Sequence, residues 1–384
     1  MTGAGSPTDL MREPVVLDRD GLDDLISVLR AEGYRVIGPT VRDTAIVLDS
    51  LESGDNLPVG WGVETGPGRY RLTKRSDSAV FGHSAGPQSW KQYLHPAHQQ
   101  LWSEAQDGTF CAPATQPVKY AFLGVRACDL AAIGILETVL SAGGRSSAGL
   151  VENLFVIAAN CTEPGGVCFC ASMNTGPEAR SGYDLSLTER TDDDGHRFIT
   201  RVGTEQGARI LALVRRRRAT DEETSEAAHA VSEAARHMGR AMPDTDLRGM
   251  LREARDADVW EDVASRCLTC GNCTMVCPTC FCTTTEDVSD LTGDHAERWQ
   301  HWSSCFDLDY SQLHGGTIRA SGESRYRQWI SHKLGTWHDQ FGSSGCVGCG
   351  RCIDWCPVGI DITAEAARLT GASSIDPDGD AGGH

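Results

Sequence analysis

Cys267-Leu-Thr-Cys270-Gly-Asn-Cys273-Thr-Met-Val-Cys277-Pro278 and Cys346-Val-Gly-Cys349-Gly-Arg-Cys352-Ile-Asp-Trp-Cys356-Pro357 share one spacing. Both read C-x2-C-x2-C-x3-C-P, a ligand run for 4Fe-4S clusters. The spacing has a physical logic. A cubane presents four irons at tetrahedral corners, and each takes one thiolate. Three cysteines at such intervals wrap one loop around three corners. Gly271 and Gly350 let the backbone bend closely around the cluster, where a side chain would crowd the inorganic sulfide. The fourth cysteine is expected to open a following helix, with proline turning the chain away from the cluster. A structural zinc site also uses C-x2-C pairs. Zinc needs four ligands, whereas the two runs supply eight in triplet-plus-one form, so iron–sulfur is the reading taken.

In two-cluster ferredoxins the last cysteine of each run ligates the other cluster. The pattern therefore predicts Cys267, Cys270, Cys273 and Cys356 on cluster 1, and Cys346, Cys349, Cys352 and Cys277 on cluster 2. Sixty-eight residues separate Cys277 from Cys346, a long insertion for such a domain. Trp299, Trp302, Trp329, Trp337 and Trp355 fall in or near it and read mainly as core packing, with cluster shielding the second reading.

Two further groups of cysteines remain. VRACDL at 125–130 and NCTEPGGVCFC at 160–170 follow two apolar strand candidates. Loops after strand C-termini converge on one edge of an open parallel sheet. Cys128, Cys161, Cys168 and Cys170 are thereby expected together, as a third iron–sulfur cluster or a zinc site. Cys280, Cys282 and Cys305, with His301 or His314 as a fourth ligand, form another candidate; buried thiols packed beside the clusters are the preferred reading. Cys111 stands alone.

Upstream of the motifs the chain reads as α/β. VVLD at 15–18 is a strand candidate, and Leu22, Leu25, Ile26 and Leu29 have helical spacing ahead of a C′ Gly33. YRVIGP at 34–39, TAIVLDS at 44–50 and the segment after GPG at 66–68 read as strands. VKYAFLGV at 118–125, a helix over 128–140 and LFVIAAN at 154–160 predict a parallel βαβ unit. Residues 208–265 read as helices broken at Pro243-Asp244. The run Arg215–Arg218 reads as a solvated helix face rather than a docking patch for an acidic partner. The expected fold class is α+β: a disordered 1–14, an α/β platform over 15–210, a helical connector over 211–265, a two-cluster ferredoxin-like domain with a long insertion over 266–371, and a disordered 372–384.

Composition narrows the function. Of 384 residues, 35 are Lys or Arg and 53 are Asp or Glu, a net charge of -18. Nucleic acid, which needs a basic face, is not an expected partner. No stretch reaches the ~20 apolar residues of a membrane span. Residues 1–14 lack the apolar core of a signal peptide, so a cytoplasmic setting is expected. Sixteen cysteines in a reducing compartment suggest metal sites before disulfides. Neither a G-x-G-x-x-G after a strand nor a phosphate loop occurs, and no nucleophile–base constellation stands out.

The motifs carry a resemblance. GYRVIGP at 33–39, GVRACDLAAI at 124–133, NCTEPGGVCFCASMNTGP at 160–177, GYDLSLTE at 182–189, RCLTCGNCTMVCPTCFC at 266–282 and GCVGCGRCIDWCP at 345–357 are the residues concerned. Over roughly 15–370 the chain resembles the beta subunit of soluble NAD(P)-linked nickel–iron hydrogenases of the sulfhydrogenase type. It is equally similar to the A subunit of anaerobic sulfite reductases. The resemblance implies an electron-transfer subunit that is not catalytic alone. Its partners would be a flavin/NAD(P)-binding subunit and a hydrogenase catalytic subunit, or their sulfite-reducing counterparts. A free-standing iron–sulfur oxidoreductase is the remaining alternative.

Overall fold

The computed structural model describes residues 10–104, 107–113, 118–142, 153–192, 195–292 and 295–371. The ends expected to be disordered lie largely outside these ranges; Leu10, within them, is buried in the first core.

Short apolar runs build the main sheet. Its strands are β1 (Val15–Leu17), β2 (Arg35–Arg42) and β3 (Ala45–Ser50), and later β8 to β12. Between them lie a hairpin of β4 (Trp61–Gly66) and β5 (Arg69–Lys74), then β6 (His98–Glu104) and β7 (Phe110–Cys111). The remaining sheet strands are β8 (Tyr120–Val125), β9 (Leu154–Ala159), β10 (Leu185–Asp192), β11 (Gly195–Val202) and β12 (Arg217–Arg218). The sheet order is β12-β1-β11-β10-β9-β8-β2-β3. Its centre is parallel, with β2, β8, β9 and β10 aligned, and its flanks are antiparallel. The helix Ala127–Ala142 crosses from β8 to β9, which is the expected βαβ unit. The central strands are buried along most of their length, as a sheet covered on both faces requires.

The helix Arg19–Ala31 covers one face. Asp18 caps it by accepting from the Gly21 amide at 2.7 Å, and Leu22, Leu25, Ile26 and Leu29 point into the core. Gly33 follows with φ 85°, the left-handed C′ position expected.

Arg215–Arg218 is not a helix face. Arg217 and Arg218 form β12 at the sheet edge, and Arg215, Arg217 and Arg218 pair with Asp24, Glu223 and Glu13. Arg216 donates to the Leu211, Ala212 and Val214 carbonyls. Acceptors left unpaired at the end of the helix Glu205–Ala212 explain that placement.

Helices Asp221–Arg236, Leu247–Glu253 and Val259–Arg266 lead to the cysteine motifs. The long insertion forms strands β13 (Thr283–Ser289) and β14 (Ala296–Trp302). These pair in the order β13-β14-β6-β7, so the N-terminal region supplies two strands to the insertion's sheet. A second core gathers Trp260, Phe306, Tyr326, Trp329 and Ile353 around the motif cysteines. The molecule is α+β; Cys267, Cys273, Cys305, Cys346, Cys352 and Cys356 pack against the second core, and Cys128, Cys170 and Cys349 meet in a smaller apolar cluster.

Candidate metal centres

Each motif begins as an extended loop and turns at a glycine. Gly271 (φ 72°) starts the single helical turn Asn272–Met275, and Gly350 (φ 78°) starts Arg351–Asp354. The third cysteine of each motif rides that turn, and the fourth follows it. The expectation that the fourth opens a helix is corrected. Beyond Cys277 the chain runs through Pro278 toward β13, and beyond Cys356 the next helix starts only at Ile362. Proline has no amide with which to continue the preceding turn. The glycines also serve differently from expectation. A Cβ on Gly350 would sit 2.4 Å from the Val167 carbonyl oxygen, and one on Gly271 would sit 2.9 Å from Ser304 Oγ. Left-handed backbone and the close approach of neighbouring chain demand glycine there.

The eight motif thiols lie close together, with Cys356 near the thiols of the first motif and Cys277 near those of the second. Burial pushes the Cys273 thiol well up, and Cys305, Cys267, Cys356 and Cys270 lie within electrostatic reach of it. Cys267, Cys270, Cys273, Cys352 and Cys356 line one cavity with Phe306, Tyr326 and Trp329. In the second motif, burial pushes Cys346 up to about 12, and Cys349 and Cys277 lie within reach. Cys352 is likewise raised by burial, with Cys346, Cys349, Cys277 and Cys273 around it. Backbone amides point at sulfurs in both motifs: Thr269 N to Cys267 (3.4 Å), Ile360 N to Cys356 (3.3 Å) and Gly348 N to Cys346 (3.5 Å). Such donors favour a charged sulfur and so suit cluster ligation. The buried thiols are neutral unless a metal replaces their protons, which links metal binding to folding.

Cys277 differs. A hydrogen bond from the Cys280 thiol and the charge of Lys333 hold it well down, against burial. Lys333 Nζ lies 3.4 Å from Cys277 Sγ, and Thr279 Oγ1 lies 3.2 Å from it. Lys91 Nζ reaches the carbonyls of Met275 (3.3 Å) and Cys280 (3.1 Å) and lies 3.8 Å from the Trp302 ring centre. Neither lysine was singled out by sequence reasoning, because a buried lysine looks like a solvated one in a sequence.

The third thiol group is also assembled. Cys128 opens the helix after β8, Cys161 follows β9, and Cys168 and Cys170 lie on the succeeding loop. Burial raises Cys168 to about 12, with Cys161 and Cys349 beside it. Burial also pushes Cys128 well up, and Asp129, Cys170, Cys349 and Cys161 add to the effect. Cys349 thus neighbours both groups. The contact is direct in the backbone: Phe169 N donates to Gly348 O at 2.9 Å, and Thr175 Oγ1 donates to Val347 O at 2.6 Å.

Cys280 is hydrogen-bonded with Cys277, Cys305 lies near Cys282 and Cys273, and Cys282 Sγ lies 3.8 Å from the Tyr310 hydroxyl. His301 instead lies 3.3 Å from Glu286 and stacks on His98, and His314 sits in an exposed turn. Cys111 is exposed on β7. Among the described residues no three His, Cys, Asp or Glu side chains converge closely enough to share a single ion. Trp329 lines the first cavity and Trp337 is buried beside Lys333, whereas Trp299 and Trp302 belong to the β14 sheet and Trp355 packs on Tyr70. Among the described residues no helix is long and apolar enough to cross a membrane.

Comparison with known proteins agrees with this arrangement. The 4Fe-4S dicluster domain family matches residues 266–360. The Sulfhydrogenase 2 subunit beta of Pyrococcus furiosus is 30% identical over 252 residues, covering 63% of this chain and 72% of that protein. No solved structure matches. An iron–sulfur domain of the dicluster type, joined to an upstream region that extends the similarity well beyond it, places the chain in the family of sulfhydrogenase beta subunits.

Proposed function

We propose that this chain is an electron-relay subunit, set between a flavin subunit that handles NAD(P) and a hydrogenase catalytic partner. The observation that supports the reading is the proximity of Cys356 to the first motif's thiols and of Cys277 to the second motif's. Cys267, Cys270, Cys273 and Cys356 would hold cluster 1, and Cys346, Cys349, Cys352 and Cys277 would hold cluster 2. Cys128, Cys161, Cys168 and Cys170 would hold a third iron–sulfur cluster, or zinc. Cys280, Cys282 and Cys305 are assigned no centre.

A bound cluster supplies one-electron transfer and needs no substrate pocket. The chain's own residues fix the thiols and keep water away. Phe306, Tyr326 and Trp329 wall the first site, and glycine loops bring the sets together. The contact of the Cys168–Cys170 loop with Val347–Cys349 supports a linear order: third site, cluster 2, cluster 1. The platform over 15–210 would then be one docking end and the insertion the other.

Iron and sulfide analysis of anaerobically purified protein, with EPR after dithionite, tests the inventory. About eight irons per chain fit the two motif clusters, and about twelve fit a third. Cys270→Ala tests the relay. In the assembled complex it should abolish H2-dependent NAD(P) reduction while dye-linked hydrogenase activity persists. Retention of both activities would overturn the proposal.

A further inference from the structure

Lys333 is 3% exposed, yet among the described residues no carboxylate pairs with it. Its ammonium group instead meets Cys277 Sγ at 3.4 Å, Thr279 Oγ1 at 3.0 Å and Gly345 O at 3.1 Å. Its own carbonyl accepts from Gly345 N at 2.8 Å. The lysine is therefore tied at once to Cys277 and to the residue before Cys346, both in the second thiol set. It stands on a π-helical turn, Ser331–Thr336, a rare geometry found often at functional sites. The buried face of Trp337 lies 5.1 Å from the ammonium and leaves little water to screen its charge.

The first set differs. Its cavity wall is Phe306, Tyr326, Trp329 and Ile360, and Arg325, within electrostatic reach of Cys267, directs its hydrogen bonds to the Phe306, Ala320 and Ser321 carbonyls rather than to a sulfur. Near the second set, Arg351 is matched by Asp129. Among the described residues, a cation in direct contact with a motif sulfur is thus found at the second set only.

We propose that Lys333 sets the reduction potential of the cluster held by Cys277, Cys346, Cys349 and Cys352, raising it above that of its neighbour. A four-thiolate cluster is anionic and gains one more negative charge when reduced. A fixed cation at its sulfur stabilises the reduced form more than the oxidised one and so moves the potential upward. Thr279 Oγ1 lies beside the same sulfur but donates its proton to Gly345 O at 2.6 Å and carries no charge. Lys333 is a positioning residue, acting through Cys277. The consequence is a relay with a built-in downhill step, in which an electron comes to rest on cluster 2.

The proposal rests on the ligand assignment above, and its test separates the two. Full-length Lys333→Gln, Lys333→Met and Lys333→Arg are purified anaerobically, assayed for iron and sulfide, and titrated potentiometrically with EPR detection. Lys333→Gln and Lys333→Met should keep their iron and shift one cluster's midpoint to more negative potential, with the other cluster unmoved. Lys333→Arg should stay near the parent value. An unshifted midpoint in Lys333→Gln at full iron content overturns the proposal. Loss of cluster iron in all three variants also overturns it, since Lys333 would then be a packing residue. A parent protein without two EPR-distinct clusters would instead sink the ligand assignment.

Discussion

Gly350 shows how much one residue carries at the cluster seam. Its φ is 78°, and a Cβ there would meet the Val167 carbonyl oxygen at 2.4 Å. Gly342 has nearly the same φ, 73°, but a Cβ there would meet nothing within 4 Å. Gly342→Ala should therefore cost only backbone strain, about 1–2 kcal/mol. Gly350→Ala should cost more, because the loop Val167–Cys170 must also move, and iron content should fall with it. Thermal unfolding of the two variants decides this; equal losses would mean that the Val167 contact yields freely. At this scale the sequence was informative where spacing is the chemistry. The two motifs could be recognised as cluster-binding because a cubane takes four thiolates at close intervals. The positions of Lys91 and Lys333 could not be read, since they are fixed by contacts with residues 184 to 189 and 54 to 56 positions away.

The β4–β5 hairpin is an element whose role only the fold reveals. Its turn residue Gly68 donates to Ile353 O at 3.0 Å, and Tyr70 packs against Trp355. Just beyond β5, Arg75 grips Asp77 (2.6 and 2.7 Å) and Glu163 (2.7 and 2.8 Å). The hairpin thus clamps the loop of the third thiol group against the second motif. The hydrogen bonds from Arg75 hold the Asp77 carboxyl at about 2, against a small burial effect. A carboxyl lowered in the folded state stabilises above its unfolded value near ~3.9 and loses that contribution as pH falls through about 2. Asp77→Asn should therefore show a constant deficit of about 1 kcal/mol across about pH 5 to 8, the size expected of a partly exposed charged pair. Thermal unfolding from about pH 8 down to about pH 2 checks it: the deficit should shrink as pH falls below about 4, and one that stays constant down to about pH 2 would show that Asp77 is not held down. Most elements of the main sheet were legible, because buried parallel strands are continuous apolar runs and the helices between them are periodic. The β6–β14 pairing was not, because strands nearly two hundred residues apart leave no local signal of their partnership.

Across the whole molecule, the upstream sheet and the cluster region meet through a buried ion pair. Arg351 donates to Asp129 at 2.9 and 3.3 Å, with side chains 3% and 4% exposed, and its Nε reaches Gly86 O at 3.1 Å. Arg240 and Asp361 form a second bridge at 2.8 Å. Arg351 lies between Cys349 and Cys352, whereas Asp129 follows Cys128 directly. The pair therefore locks the third thiol group onto the second motif. Asp129→Asn would leave a buried guanidinium without its carboxylate, a loss of about 3–5 kcal/mol. Its effect should appear at a distance from the mutated helix: reduced iron at the second set, and a lower unfolding temperature for the chain as one unit. Removing both charges, in Asp129→Asn with Arg351→Met, should recover much of the stability, since the single variant's cost is largely the stranded charge. A single variant as stable and as iron-replete as the parent would show that the two regions are not coupled through this pair, and that the linear order of centres rests on the backbone contacts at Gly348 alone.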